Sequence, residues 1–217
     1  MSSVSDTTQP LSGHWVGKLR RRRAIIEAAY HIILKDGDAG LTMRRLALEA
    51  GVSPTTPYNL FGSKESVIRA VFDEDFANFE RQYRIKAGAN QLARIFDVID
   101  FSFDAFAERP NFYIALFRTL EGGRESEVRS SEWLRTAFLT SIVEDAVAAG
   151  YVATRQKQLL AMTIVRIFRS VILEWVAAEI SLADAHRQVG LGIALLLGSS
   201  VPERHQPVLA ELRARYE

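Results

Sequence analysis

The chain has 217 residues and no cysteine, with 48% apolar and 24% charged residues and a formal net charge of +1. That length buries a real core in one large domain or two smaller ones, and the lack of cysteine excludes a disulfide framework, a thiolate nucleophile and a Cys-ligated zinc. The longest apolar stretch, around residues 159–178, is broken by Arg166, Arg169 and Glu174, and the N-terminal residues lack the basic-then-apolar build of a signal peptide, so the expectation is a cytoplasmic protein with no membrane segment.

Charge is spread unevenly. Between Lys18 and Lys64, nine Lys or Arg face four acids, which leaves a basic head on a mildly acidic body, a modest nucleic-acid signal.

In chain order, residues 1–16 are rich in Ser and Thr with little apolar periodicity and read as a flexible tail. Ile25, Ala28, Ala29, Ile32 and Ile33 follow i, i+3, i+4 spacing and predict an amphipathic helix over 18–35, ended by Gly37 and Gly40. Thr42 is placed to cap a second helix with Leu46, Ala47 and Ala50 inward, closed by a left-handed Gly51. Ser53 is expected to cap a third helix with Pro54 at its first position, which leaves Pro57 at an awkward fourth. Ser63 caps a fourth helix running to about Lys86. Further helices are predicted near 90–108, 110–121, 125–149, 155–180 and 182–198, and no run alternates with period two. The fold class expected is all-α: a helix-turn-helix head over 17–62, a connecting helix over 63–87 and a larger helical domain over 88–217.

The second helix, the turn at Gly51-Val52 and the third helix form a helix-turn-helix unit, whose second helix enters the DNA major groove. Helix N-termini offer free N–H groups to phosphates, which suits Thr42 and Ser53; both residues are also ordinary caps in any protein. Thr55, Thr56, Tyr58 and Asn59 fall on the outer part of the third helix, where they can meet base edges or sugar. Tyr58 has a second use, packing against the first helix. The run Arg20–Arg23 is either a solvated face or a set of phosphate contacts.

The stretch from Arg22 to Val71, with Lys35-Asp36-Gly37, Leu41-Thr42, Ala50-Gly51-Val52-Ser53, Tyr58, Phe61 and Ser63-Lys64-Glu65 in register, resembles the DNA-binding region of the TetR family of transcriptional repressors. The resemblance implies phosphate contacts at Thr42, Tyr58 and Lys64, a base contact at Arg44, and groove-facing positions at Pro54, Thr55, Thr56 and Asn59. Arg45 lies on the same helix, as a phosphate partner or a surface charge. Two positions depart from the family pattern: Pro57 replaces a large aliphatic residue, and Leu60 a polar or aromatic one. The function implied is a repressor released from a palindromic double-stranded DNA operator by a small hydrophobic or aromatic effector; a constitutive or activating regulator without effector is the nearest alternative.

The aromatic residues of the body can line an effector cavity or fill an ordinary core. The expected ligand set is Phe103, Phe106, Tyr113, Phe117, Trp133, Phe138 and Trp175, with Arg166 as a polar group that needs a partner if buried. Gly190, Gly192 and Ala194 give the last long helix a small-residue surface; with the helix over 155–180 it can form a homodimer packed as a four-helix bundle, the expected use, or serve packing within the chain alone.

A helical enzyme is the rival from another class. His14, His31, His186 and His205 are far apart in sequence, and Asp97, Asp100 and Asp104 read as a solvated acidic stripe before a metal site. No catalytic residue, metal or cofactor is expected.

Overall fold

The computed structural model describes residues 13–86, 88–121 and 125–217, with the backbone alone at 13–14, 121 and 125–135. Among the described residues the regular elements are all helical, in the order α1 (Gly13–Asp36), α2 (Met43–Glu49), α3 (Thr56–Phe61), α4 (Lys64–Lys86), α5 (Ala93–Glu108), α6 (Pro110–Glu121), α7 (Glu125–Ala148), α8 (Lys157–Val176), α9 (Leu182–Leu197) and α10 (Gln206–Arg213). Short 3₁₀ turns sit at Glu203–His205 and Ala214–Tyr216. The chain divides into two compact units between Val71 and Phe72, inside α4.

The N-terminal unit is a three-helix head continued by the start of α4. Ile25, Ala28, Ala29, Ile32 and Ile33 of α1 are buried with Leu46 and Ala47 of α2 and Val67 and Ile68 of α4, the 3.6-residue period turned into one face. α1 begins at Gly13, inside the stretch expected as tail; residues 1–12 of that stretch lie outside the described residues. It ends where Gly37 takes a left-handed φ of 68°. The Thr42 hydroxyl accepts from the Arg45 N–H and caps α2. Gly51, at φ 63°, then reverses the chain. α3 departs from expectation: it starts at Thr56, and Ser53–Thr55 form a turn in which the Thr56 N–H bonds the Ser53 carbonyl. Pro57 therefore stands in the first turn, where its missing N–H would have had no helical partner. It is buried. Ser63 caps α4 by accepting from the Ser66 N–H.

In the second unit, α8 packs on α7 and α9, and α5 on α9. Helices α5 to α9 lie within a few residues of their sequence-predicted bounds. The chain end adds what the sequence did not suggest: α10 and the last 3₁₀ turn fold back, burying Leu209, Leu212 and Tyr216. The Tyr216 hydroxyl donates to Asp100 at 2.7 Å, His186 shares the same carboxylate at 2.8 Å, and Arg215 lies 3.3 and 3.4 Å from Asp100 and Asp97. Burial opposes ionisation of Asp100, but the bonds from His186 and Tyr216 and the Arg215 charge outweigh it and hold the carboxyl below its ordinary range. Burial, then the bond to Asp100, pushes the Tyr216 hydroxyl well up. Two acids of the expected solvated stripe thus anchor the C-terminus.

The small-residue surface of α9 also has another use. A Cβ on Gly190 would lie 2.2 Å from the Tyr216 ring, and one on Gly192 3.2 Å from Ile167 of α8. Ala194 is buried. These residues let the chain's own segments approach, the second of the two uses the sequence offered, in place of the dimer face expected of them.

Candidate nucleic-acid interface and effector cavity

The outward face of α3 follows from its register. Pro57 is buried and Phe61 half-buried on one side, so Thr55, Tyr58 and Asn59, at i, i+3 and i+4, stand on the other; all three are exposed. Tyr58 is 57% exposed. Ser53, Pro54 and Thr42 are exposed and Thr56 is half-buried. The Ser53 hydroxyl is 2.7 Å from that of Thr56 and 3.2 Å from that of Thr55; it ties the turn together in place of the helix cap expected of it. Arg44 is exposed on α2.

Two cations of the expected set are engaged within the head. Arg45 donates to Asp36 at 2.6 Å, to Glu49 at 3.1 Å and to the Gly40 carbonyl at 3.2 Å. Its guanidinium fastens the α1–α2 turn, and those carboxylate bonds raise its pKa. The Lys64 ammonium donates to the Asp38 carbonyl, which fixes α4 to the same turn. Arg45 is thereby a structural clamp first, because a guanidinium with three internal acceptors has few N–H groups left for a phosphate.

In the second unit a cavity of about 90 Å³ is lined by Phe76 and Phe79 of α4, Ser102 of α5, Phe117 of α6, Phe138 of α7 and residues of α8 including Phe168 and Arg169. A neighbouring space of about 70 Å³ shares Phe76, Phe79, Ser102, Phe117 and Phe168 and adds Phe106, Asp75 and Tyr113. Of the residues expected to line an effector site, Phe106, Tyr113, Phe117 and Phe138 border one or both of these spaces. Phe103 and Trp175 are corrections: Phe103 packs on Phe106 and Phe168, and Trp175 stacks on Phe106 at 5.8 Å, so both are the wall behind the wall. Arg166 is a second correction, exposed on α8, because the helix turns its apolar stripe of Leu160, Ile164, Val165 and Ile172 inward. The side chain of Trp133 lies outside the described residues. The sequence reading missed Phe76 and Phe79. Their 4-3-4 spacing with Phe72 and Tyr83 along α4 was the available signal.

At the polar rim of the second space, Arg109 donates to Asp75 at 3.0 Å and to the Tyr113 oxygen at 2.7 Å, and Tyr113 donates to Asp75 at 2.8 Å. This closed triangle joins α4 to the α5–α6 junction. Among the described residues no helix is long and apolar enough to cross a membrane.

A family model described as "Bacterial regulatory proteins, tetR family" matches residues 25–71. The HTH-type transcriptional regulator BetI of Rhizobium meliloti is 33% identical over 114 residues, 50% of this chain and 55% of that protein. The chain thus aligns with about half the length of that relative. The HTH-type transcriptional repressor KstR of Mycobacterium tuberculosis is 26% identical over 183 residues, 82% of this chain and 81% of that one. Among solved structures, a TetR transcriptional regulator from Rhodococcus sp. RHA1 superposes with a TM-score of 0.70 at 22% identity, covering 83% of this chain and 97% of the other, a likeness of fold.

Proposed function

We propose that the chain, whose residues 25–71 match the tetR family of bacterial regulatory proteins, is a homodimeric repressor of that family, released from a palindromic DNA operator by a small apolar effector. The observation that carries the reading is the exposed Thr55–Tyr58–Asn59 face of α3, presented by a head whose own core needs none of those side chains. An α-helix of this kind fits the major groove, where each base pair shows a distinct pattern of donors and acceptors. Arg44 is the candidate for bidentate contact with guanine; Thr42 and Tyr58 are candidates for phosphate, with Lys64 holding the turn beside them.

The effector class follows from size. The two spaces in the body, about 90 and about 70 Å³, are together close to the roughly 150 Å³ cavity that takes up benzene, and well below the ~300 Å³ at which drug-sized pockets begin. A single-ring or short aliphatic molecule fits. Anything larger must push the aromatic walls apart, and Phe76 and Phe79 of α4 are two of those walls. Movement of α4 is the proposed route from cavity to head, with a coupling free energy of about 1–3 kcal/mol.

Dimerisation is assigned to the outward faces of α8 and α9, where Leu159 is 50% and Leu195 70% exposed. A two-fold pair sets its recognition helices one DNA turn or a multiple apart, which requires a palindrome. BetI and KstR are named as transcriptional regulators, which favours this reading over that of a helical enzyme.

The test is unbiased selection of bound duplexes from random sequence. A recovered palindrome supports the reading, and recovery of no preferred sequence sinks it. On that operator, Tyr58→Ala weakens binding to all sites, whereas Arg44→Ala relaxes one base position at a cost of about 1–3 kcal/mol.

A further inference from the structure

We propose that Arg20 and Arg21, on the first part of α1, form with the Gly51–Asn59 segment a seat for one sugar–phosphate strand of duplex DNA, beside the base-reading face. The inference rests on the N-terminal unit being a DNA-binding head and adds a phosphate site to it.

The argument starts from the length of α1. Its 24 residues span about 36 Å, more than the head core uses. The core stripe begins at Ile25 and runs through Ala28, Ala29, Ile32 and Ile33. Followed toward the N-terminus with the same i, i+3, i+4 spacing, it continues as Arg21, Arg22 and Lys18, so one face of one helix changes from apolar to cationic. Five cations occupy the six positions 18–23.

Their neighbours separate them. Arg23 pairs with Glu27 at 3.0 Å. Arg22 lies over the Phe61 ring at 4.4 Å, and Lys18 over Trp15 at 5.2 Å. Arg20 and Arg21 instead wall an open groove of about 690 Å³ whose opposite side is Gly51, Val52, Ser53, Thr56, Asn59 and Leu60. No acidic side chain lines the groove, and among the described residues neither arginine has a carboxylate within ion-pair distance.

Two adjacent guanidiniums facing hydroxyls and an amide across a groove is a donor-rich arrangement, suited to a ligand that only accepts. A phosphodiester strand accepts at every residue and carries one charge per phosphate. The groove is far larger than one free anion, and it shares Asn59 and Thr56 with the segment assigned to the major groove. A strand lying in it would border that groove, which is where a backbone must run when a helix is inserted between two strands.

The experiment uses the full chain and its selected operator, with affinity measured across a series of potassium chloride concentrations. For R20A/R21A the slope of log affinity against log salt is expected to shrink by about 2, near 0.9 per lost phosphate. Affinity falls by the same factor on operator and on random duplex, and R20K/R21K restores the slope. Thermal melting of both variants is expected to match wild type, since neither arginine packs in the core. An unchanged slope in the melting-competent R20A/R21A overturns the inference while wild-type operator binding still stands. So does a thermal shift with inorganic phosphate that depends on the two arginines while the DNA slope is unchanged, which marks a small-anion site. A wild-type chain that binds no duplex removes the head reading itself.

Discussion

The head and the body bury helices with different materials, and the difference separates their tasks. Among the described residues the buried side chains of the head are Ile25, Ala28, Ala29, Ile32, Ile33, Leu41, Met43, Leu46, Ala47, Pro57, Val67, Ile68, Ala70 and Val71, without one aromatic ring. Small aliphatic residues let short helices approach closely and leave little space, so α2 and α3 are held as a fixed platform. The body is built from rings: Phe76, Phe79 and Tyr83 stack along α4 and each meets Phe138 edge to face, and Phe106 contacts Tyr113, Phe117, Phe168 and Trp175. Flat, rigid groups at 4.5–7 Å centroid spacing do not tile a volume fully, and the space left over is the cavity.

The comparison breaks first at the head core. Leu46→Ala removes a fully buried side chain from a small unit and is expected to cost about 2–5 kcal/mol in chemical denaturation. Operator binding should be lost with it. A loss below 1 kcal/mol would mean the head is far less tightly packed than described.

Next comes the polar triangle of the body. Asp75→Ala leaves Arg109 and the Tyr113 hydroxyl without their shared acceptor. It is expected to destabilise by about 1–3 kcal/mol, read from urea unfolding of the variant and of the Asp75→Ala/Tyr113→Phe pair, whose costs should not add.

A smaller effect is expected from filling the cavity. Ser102 touches both spaces, and among the described residues its hydroxyl bonds only the Val98 carbonyl of its own helix. Ser102→Leu is expected to change stability by no more than about 1 kcal/mol, since overpacking and burial offset each other. It should leave operator affinity intact and abolish release by effector in a mobility-shift assay. Retained release would place the effector elsewhere.

The smallest effect is a pH dependence. The folded-state pKa of Asp100 is lowered, so its contribution is complete above the unfolded carboxylate value of about 3.9 and is lost as pH falls through the folded value. Asp100→Asn should flatten the acid limb of stability below about pH 4, with little change of slope near neutrality. An acid limb equal to wild type would mean that the C-terminal anchor does not depend on that charge.

Much of the head was legible because its signals are local. Thr42 as a cap, Gly37 and Gly51 as left-handed turns, and the spacing of Ile25 to Ile33 each depend on neighbours a few residues away. The start of α3 was misplaced because Ser53-Pro54 and Thr56-Pro57 both satisfy a proline at a first turn, and only the bonds among the three hydroxyls choose between them. The clamp made by Arg45 was not legible because Asp36 and Gly40 meet it only after α1 and α2 fold together. In the body, aromatic content announced a ring-built interior without saying which rings face the space. Trp175 and Phe103 differ from Phe117 and Phe138 by the rotation of whole helices, and no local pattern records that.

The sequence by itself determined the helices and most of their caps, because hydrogen bonding, capping and amphipathic period act over a single turn. Only the tertiary structure decided that Arg166 faces outward, that Gly190 makes room for Tyr216, and that Arg20 and Arg21 border a groove with α3. Those outcomes depend on how residues far apart in the chain share one volume, and packing settles them only when all the helices are in place.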